Sequence, residues 1–340
     1  MNLNKFFFAV GSVFILLASF IAIAPSLLTC DLITPQKIDS LWVMYHVREN
    51  PEIDTTMMNP GDLGLKYSEF NVRSADNLLL SCWYVPATDT PANTIIILHD
   101  LNQSKLQLLD YAKQFHDRGY HVCIPDLRAH GTSEGVEFSI GIPAVSDVKK
   151  IIDAVLTWKE TQHVVVMGLG LGSAIALQVA VYDGRCDAIV LQSPFDNFDT
   201  YIDRYSYNRW GFFDYFWETI LKKKEGELLQ YPVKELNLTE IARYLNLPTL
   251  FIAGSDDSLV YPSESLQVFQ ASATEKKELL LVKDAGHIDI AAVGGETYYN
   301  RISSFLLSVI PRKQKTTRYK KLALNDIAGN DFTDIRRCPD

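Results

Sequence analysis

A strand, a glycine-bounded turn and a helix follow one another near the middle of the chain. Val164–Met167 is a short apolar run of the kind that forms a buried strand. Gly168-Leu169-Gly170-Leu171-Gly172 comes next, and a helical pattern begins at Ser173. A dinucleotide loop would need a third glycine where Ser173 stands, so the spacing argues against nucleotide binding. The unit instead predicts one β–α step of an α/β domain.

Strand and helix patterns alternate through most of the chain. This alternation predicts an α/β fold with a mostly parallel eight-stranded sheet and helices on both faces. The predicted strands are Tyr67–Arg73, Leu78–Tyr84, Thr94–Leu98, His121–Ile124, His163–Met167, Ala188–Gln192, Thr249–Ala253 and Leu279–Val282. The predicted helices are Ser104–Arg118, Ala144–Lys159, Ser173–Tyr182, Ser263–Ala271 and Thr297–Val309. The first two strands have no helix between them, so we expect them to pair antiparallel.

Several motifs in chain order resemble the α/β-hydrolase superfamily, in its serine aminopeptidase and lysophospholipase-like branch. The turn Gly168–Gly172 resembles the G-x-S-x-G nucleophile elbow. The stretch Gly254–Pro262 resembles the loop that carries the catalytic acid, and Gly286-His287 resembles the turn that carries the catalytic histidine. Upstream, His99-Asp100 and Asp126–Gly135 resemble two further family loops, and the resemblance runs from about Tyr67 to Ile310.

The resemblance assigns roles to a small set of residues. It implies that Asp257 is the acid and His287 the base of a catalytic triad. The backbone N–H groups of Leu101 and Leu171 would form the oxyanion hole, the pair of donors that stabilises a negatively charged intermediate. The nucleophile position, however, is Gly170, which has no side chain to attack a carbonyl. The sequence therefore predicts a serine-hydrolase scaffold without its nucleophile.

Asp100 is a second departure, because the family often has glycine at this position. A carboxylate beside the oxyanion hole opposes negative charge in a transition state unless it points away or is paired. Ser173, close to the missing nucleophile, is expected to serve helix–strand packing. Asp256 stands next to Asp257 and is the other candidate for the acid.

Two hypotheses of function follow. The first is a non-catalytic or severely impaired hydrolase homologue that binds a small apolar or acyl ligand, or a protein partner. The alternative is an active hydrolase of esters, thioesters or peptides that uses a water activated by His287 and Asp257. Neither hypothesis requires a cofactor or a metal. If the chain is an impaired hydrolase homologue, changing Gly170 to serine is expected to restore labelling by serine-directed reagents.

The domain organisation predicted from the sequence has four parts. Residues 1–30 form an N-terminal transmembrane anchor or signal segment, 31–66 a lead-in, 67–310 the α/β-hydrolase domain and 311–340 a basic and polar tail. A cap is predicted at 194–247, between two strands, and its first half is dense in aromatic residues. These side chains are expected either to form the core of the cap or to line a site for an acyl or aromatic ligand.

The N-terminus predicts a membrane protein. Phe6–Ala24 contains no charged residue, and its length is near that of a membrane-spanning helix. Lys5 favours a cytoplasmic N-terminus and hence an extracytoplasmic domain. A cleaved signal peptide of a secreted protein and a lipoprotein modified at Cys30 remain as alternatives. The net charge of -9 argues against a nucleic-acid partner, and the oligomeric state is left open.

Overall fold

The computed structural model describes residues 57–210 and 236–310, and before them only residues 12, 19, 34, 35 and 37–39. Within this part of the chain the strands are β1 (Ser68–Arg73), β2 (Leu79–Val85), β3 (Ala92–Leu98), β4 (His121–Pro125), β5 (Thr161–Leu169), β6 (Ala188–Gln192), β7 (Thr249–Gly254) and β8 (Lys277–Val282). They form one eight-stranded sheet in the order β1-β2-β4-β3-β5-β6-β7-β8. Each predicted strand is present.

The direction of the strands matches the prediction from the sequence. β1 pairs antiparallel with β2, and β2 pairs antiparallel with β4. All later neighbours, from β4–β3 to β7–β8, are parallel. The carboxyl ends of the parallel strands therefore meet at one edge of the sheet, where α/β folds carry their sites. The predicted α/β-hydrolase fold class is confirmed.

Helices connect the parallel strands. They are α1 (Leu109–Asp117), α2 (Ile142–Leu156), α3 (Leu171–Tyr182), α4 (Phe198–Trp210), α5 (Leu238–Ala242), α6 (Pro262–Ala271) and α7 (Ile290–Val309). The first predicted helix is divided, because its first turn, Lys105–Leu108, is a separate 3₁₀ helix. The last one begins earlier than predicted and carries a kink at Gly295, whose φ of 50° is not helical.

The core lies on both faces of the sheet. One apolar cluster packs α2–α6 against one face, with Val148, Ile175 and Phe251 fully buried in it. The second packs α1 and α7 against the other face, with Phe115 and Ile302 fully buried. Helices on both faces explain why β3, β4, β6 and β7 are buried at every residue.

Three of the described aromatic residues of the predicted cap belong to this core. Phe195, Phe198 and Tyr201 are buried, and the rings of Phe195 and Tyr201 stack with centroids 4.6 Å apart. These three side chains therefore pack the domain rather than line an open site. Residues 211–235, which include the remaining aromatic cluster of the prediction, lie outside the described part of the chain.

The prediction of a transmembrane signal-anchor is wrong for the part of the chain that the structure describes. None of the helices there is both long enough and apolar enough to cross a bilayer. Apart from residues 12 and 19, the run from Phe6 to Ala24 on which the prediction rested lies outside that part, as do Cys30 and the tail 311–340.

Candidate active site

Gly170 lies at the sharp turn between β5 and α3. Its φ and ψ are 50° and -113°, a left-handed backbone that side chains rarely adopt. Gly172 is also needed, because α3 lies close to the end of β3. A Cβ at Gly172 would lie 2.4 Å from the Leu98 carbonyl oxygen. The turn therefore has the strained strand-to-helix geometry that a nucleophile elbow requires, without a side chain at its apex.

Asp257 follows β7 and is fixed by four hydrogen bonds. Its Oδ1 accepts from the N–H groups of Leu259 and Val260, at 3.0 and 2.8 Å. Its Oδ2 accepts from the Ser193 hydroxyl at 2.9 Å and lies 2.8 Å from the Nδ1 of His287. Asp256, the other candidate for the acid, is bonded by the Ser255 hydroxyl instead, so Asp257 is the aspartate that faces the histidine.

His287 lies between two carboxylates. Its Nδ1 faces Asp257 Oδ2 and its Nε2 faces Asp100 Oδ2, both at 2.8 Å. Burial alone would lower the pKa of His287, but the hydrogen bonds and charges of Asp100 and Asp257 outweigh it and raise the pKa to about 10. The imidazole is therefore a cation at neutral pH and donates a hydrogen bond to each carboxylate.

The Asp100 carboxylate occupies the pair of N–H donors that the sequence predicts as the oxyanion hole. Its Oδ1 accepts from the N–H of Leu101 at 2.7 Å and from the N–H of Leu171 at 2.6 Å. The Tyr201 hydroxyl donates to the same oxygen at 3.3 Å. Both donors that the sequence assigned to a reaction intermediate are thus bound to the chain's own carboxylate.

The same carboxylate takes the space that a side chain would need at Gly170, the predicted nucleophile position. A Cβ built on Gly170 would lie 2.2 Å from the Asp100 Cγ and Oδ1, far inside van der Waals contact. Burial acts to raise the pKa of Asp100, but the His287 cation and the N–H groups of Leu171 and Leu101 lower it below its usual range. Asp100 is therefore ionised, and its two oxygens stand where the oxyanion and the serine oxygen of an acyl-transfer site would be.

Two comparisons with known proteins bear on this arrangement. Residues 89–223 match the family model of serine aminopeptidases, S33. Over 82% of its length, the chain superposes on 98% of the esterase Pf2001 of Pyrococcus furiosus, with a TM-score of 0.64 and 21% identity, so that likeness is one of fold. The chain has the α/β-hydrolase fold, and part of it is similar to the serine aminopeptidase family.

Relatives with curated names cover most of the chain. The uncharacterized protein YqkD of Bacillus subtilis is 27% identical over 255 residues, which are 71% of this chain and 80% of the relative. An uncharacterized membrane protein of Saccharomyces cerevisiae is 20% identical over 249 residues, which are 73% of this chain and 82% of the relative. Neither printed name states a reaction.

The other motif residues of this hydrolase-fold chain have structural contacts. The Ser173 hydroxyl donates to the Gly170 carbonyl oxygen at 2.6 Å and is buried, as expected for a packing role. His99 accepts the N–H of Leu127 at its Nε2, and burial lowers its pKa, so it is neutral. Burial likewise lowers the pKa of His130 to about 3. Neither buried histidine is a base for the centre.

Sequence reasoning missed two residues that contact the centre. Ser193 bonds Asp257 from the end of β6, where its φ of 48° is unusual for a residue other than glycine. Tyr201 reaches Asp100 from α4. The Ser193-Pro194 pair after a strand was a signal for a special turn. Nothing in the sequence around Tyr201 distinguishes it from its aromatic neighbours.

Proposed function

We propose that this chain is a non-catalytic or severely impaired member of the superfamily toward acyl substrates, namely esters, thioesters and peptides. The observation that carries the proposal is the position of the Asp100 carboxylate in the oxyanion hole, beside Gly170. Acyl transfer needs a nucleophilic oxygen at the elbow and free donors for the developing oxyanion. Here the oxygen is missing and the donors are occupied.

Hydrolysis by an activated water is the weaker alternative for the same reason. A water in place of the serine oxygen would have to share the space that Asp100 fills. It would also need a base, yet the pKa of His287 is raised to about 10 by its two carboxylates, so the imidazole already holds its proton at neutral pH. The negative charge of Asp100 would also oppose a second negative charge forming beside it.

Labelling with a fluorophosphonate tests the proposal on the full-length protein. We expect no covalent adduct with wild type and hydrolysis of a chromogenic acetate ester at the rate of buffer. An unrelated active serine hydrolase, treated in parallel, controls for the reagent. A wild-type adduct that maps to any serine would overturn the proposal, as would ester turnover that a His287→Gln variant loses.

Binding of a small apolar ligand is the second part of the proposal, and a groove beside His287 supports it. The groove has a volume of about 470 Å³, within the range of ligand sites. It lies between α1 and α7, and Tyr111, Ile288, Ala291 and Tyr299 line it together with polar and acidic side chains, namely Gln107, Asp110, Gln114 and Glu296. Ile288 follows His287 directly and is 84% exposed, which leaves a large apolar side chain in water.

A variant that fills this groove tests the ligand. We expect the fluorescent apolar probe anilinonaphthalene sulfonate to bind wild type and to bind Ala291→Trp several-fold more weakly, because the indole takes the space of the probe. Thr297→Trp is the matched control, since it adds the same ring to α7 outside the groove. Equal weakening by both variants, or by neither, would contradict a site in this groove.

Association with a membrane is the third part of the proposal. Its support is the printed name of the yeast relative, a membrane protein. Recovery of the full-length protein in the membrane pellet after cell lysis is expected. Quantitative recovery in the supernatant would contradict this part and leave the others standing.

A further inference from the structure

A cavity of about 580 Å³ lies against the β1–β2 edge of the sheet. Glu69 and Asn71 of β1 and Ser81 and Trp83 of β2 form one of its walls. Glu69 is directly opposite Trp83, and Asn71 is directly opposite Ser81, so the four side chains share one face of the sheet. None of the described lining residues belongs to the candidate centre or to the groove between α1 and α7. The cavity is therefore a separate place for a ligand.

The apolar part of the cavity lining suits the hydrocarbon part of a ligand. The rings of Tyr67 and Trp83 contact each other edge to face, with centroids 6.2 Å apart. Met58 and Leu106 are half-buried and also line the cavity. Tyr67 is 36% exposed, which leaves part of it open to a molecule that enters. Contact with these side chains would remove apolar surface of the ligand from water.

Lys105 is the one cation among the described residues that line the cavity, and its donors are taken. Its Nζ donates to the hydroxyls of Ser81 at 2.5 Å and Thr132 at 2.7 Å. It also pairs with Asp126 Oδ2 at 2.9 Å, and both side chains of this ion pair are buried. An ammonium group has three N–H donors, so these three acceptors use all of them. Lys105 therefore has no hydrogen bond left for an anionic ligand, and Asp126 balances its charge.

The other charged side chains of the described lining are acidic, Asp39 and Glu69. Glu69 is exposed, and its Oε1 accepts from the indole N–H of Trp83 at 2.8 Å. Among the described residues, its Oε2 has no hydrogen-bond partner. Burial and the charges of Glu69 and Asp62 raise the pKa of Tyr67, as expected where the local potential is negative. The cavity thus presents a carboxylate beside aromatic rings, which favours a cation.

We propose that this cavity binds a small organic ammonium ion with an aromatic body, of the arylalkylamine class. The ammonium group donates to Glu69 Oε2, and the aromatic body lies against Tyr67 and Met58. A cation close to an aromatic ring is also attracted by the negative face of the ring. An anion of the same shape would meet Asp39 and Glu69 and would find no available donor on Lys105. This inference goes beyond the proposed function, which places a small apolar ligand in the groove between α1 and α7.

Isothermal titration calorimetry of the full-length protein at pH 7 tests the charge of the ligand. The probes are 2-phenylethylamine, which is protonated at this pH, its uncharged counterpart 2-phenylethanol, and the anion 3-phenylpropanoate. We expect the amine to bind and the alcohol to bind about tenfold more weakly, because it lacks the charged hydrogen bond to the carboxylate. The anion is expected to give no binding heat. No binding of the amine, or equal binding of the amine and the alcohol, would overturn the inference.

A charge variant assigns the binding to Glu69. Glu69→Gln is expected to weaken the amine about tenfold and to leave the alcohol unchanged, since the amide oxygen can still accept from Trp83. Glu137→Gln is the matched control, because it removes an exposed carboxylate that does not line the cavity, and it should bind the amine as wild type does. Weakening of the amine by Ala291→Trp but not by Glu69→Gln would place the amine in the groove between α1 and α7 and overturn the inference.

A variant that fills the cavity tests its position without a change of charge. Asn71→Trp is expected to abolish binding of both the amine and the alcohol, because the indole takes the space of the ligand. Ser68→Trp adds the same ring to an exposed position of β1 that does not line the cavity, and should bind both as wild type does. Thermal unfolding shows whether each variant is folded. Amine binding that survives in a folded Asn71→Trp would contradict a site in this cavity.

Discussion

A fluorophosphonate is expected to label the double variant Asp100→Gly/Gly170→Ser, and to label neither the wild type nor Gly170→Ser alone. The double change frees the N–H groups of Leu101 and Leu171 and supplies the oxygen that the elbow lacks. The hydrogen bond between His287 Nδ1 and Asp257 Oδ2, 2.8 Å long, is not changed by either substitution, so the base and the acid are in place. Loss of a triad serine costs on the order of 10⁶ in rate, so even partial restoration should raise labelling by on the order of 10³.

The single variant Gly170→Ser should fail for a steric and an electrostatic reason. Its Cβ would lie 2.2 Å from the Asp100 Cγ, so the carboxylate would have to leave the oxyanion hole. The protonated His287 holds that carboxylate and cannot serve as a base. The sequence alone led to the opposite expectation for this variant, because it places Gly170 but not the Asp100 side chain.

Asp100→Gly alone is the matched control for the double variant. It opens the oxyanion hole and returns His287 to a single carboxylate partner, yet leaves no hydroxyl at the elbow, so no adduct is expected. Thermal unfolding of each variant shows whether the domain is intact. A folded double variant that stays unlabelled would contradict the view that Asp100 and Gly170 together cause the proposed loss of activity toward acyl substrates.

The sequence was sufficient for the fold because the central strands are buried apolar runs. In an α/β chain, short apolar runs such as Val164–Met167 and Thr249–Ala253 are typical of buried parallel strands, and the sheet contains both as predicted. Helix starts were less well placed. Pro143 fits the first turn of α2, where its missing N–H costs nothing, so that helix begins before the predicted Ala144.

The key contact of the centre could not be predicted, because it depends on one side-chain direction. The motifs placed His287, Asp257 and the N–H groups of Leu101 and Leu171 at one edge of the sheet. They left open whether the Asp100 carboxylate points away or into the oxyanion hole. That choice is made by partners 71 and 187 residues away in the chain, Leu171 and His287, whose positions relative to β3 only the folded sheet defines.

The stability of the protein is expected to fall steeply as the pH rises above neutrality. The pKa of His287 is about 10 in the folded chain and about 6.5 in an unfolded one. Above pH 6.5 the unfolded chain loses this proton while the folded chain keeps it. The free energy of unfolding should then decrease by about 1.4 kcal/mol per pH unit, or about 3 kcal/mol between pH 6.5 and 9.

Urea unfolding at several pH values measures this slope, and two variants assign it. Asp100→Asn removes one of the two charges that raise the pKa of His287, so the slope above pH 6.5 should shrink clearly. His163→Gln is the control, since it removes another histidine bonded to an aspartate, Asp187 at 2.9 Å, at a more exposed place. Its slope should equal that of wild type.

A wild-type stability that is flat from pH 6.5 to 9 would mean that His287 is neutral in the folded chain. Asp100 would then lack the cation that holds it in the oxyanion hole, and the account of a self-occupied centre would have to be abandoned.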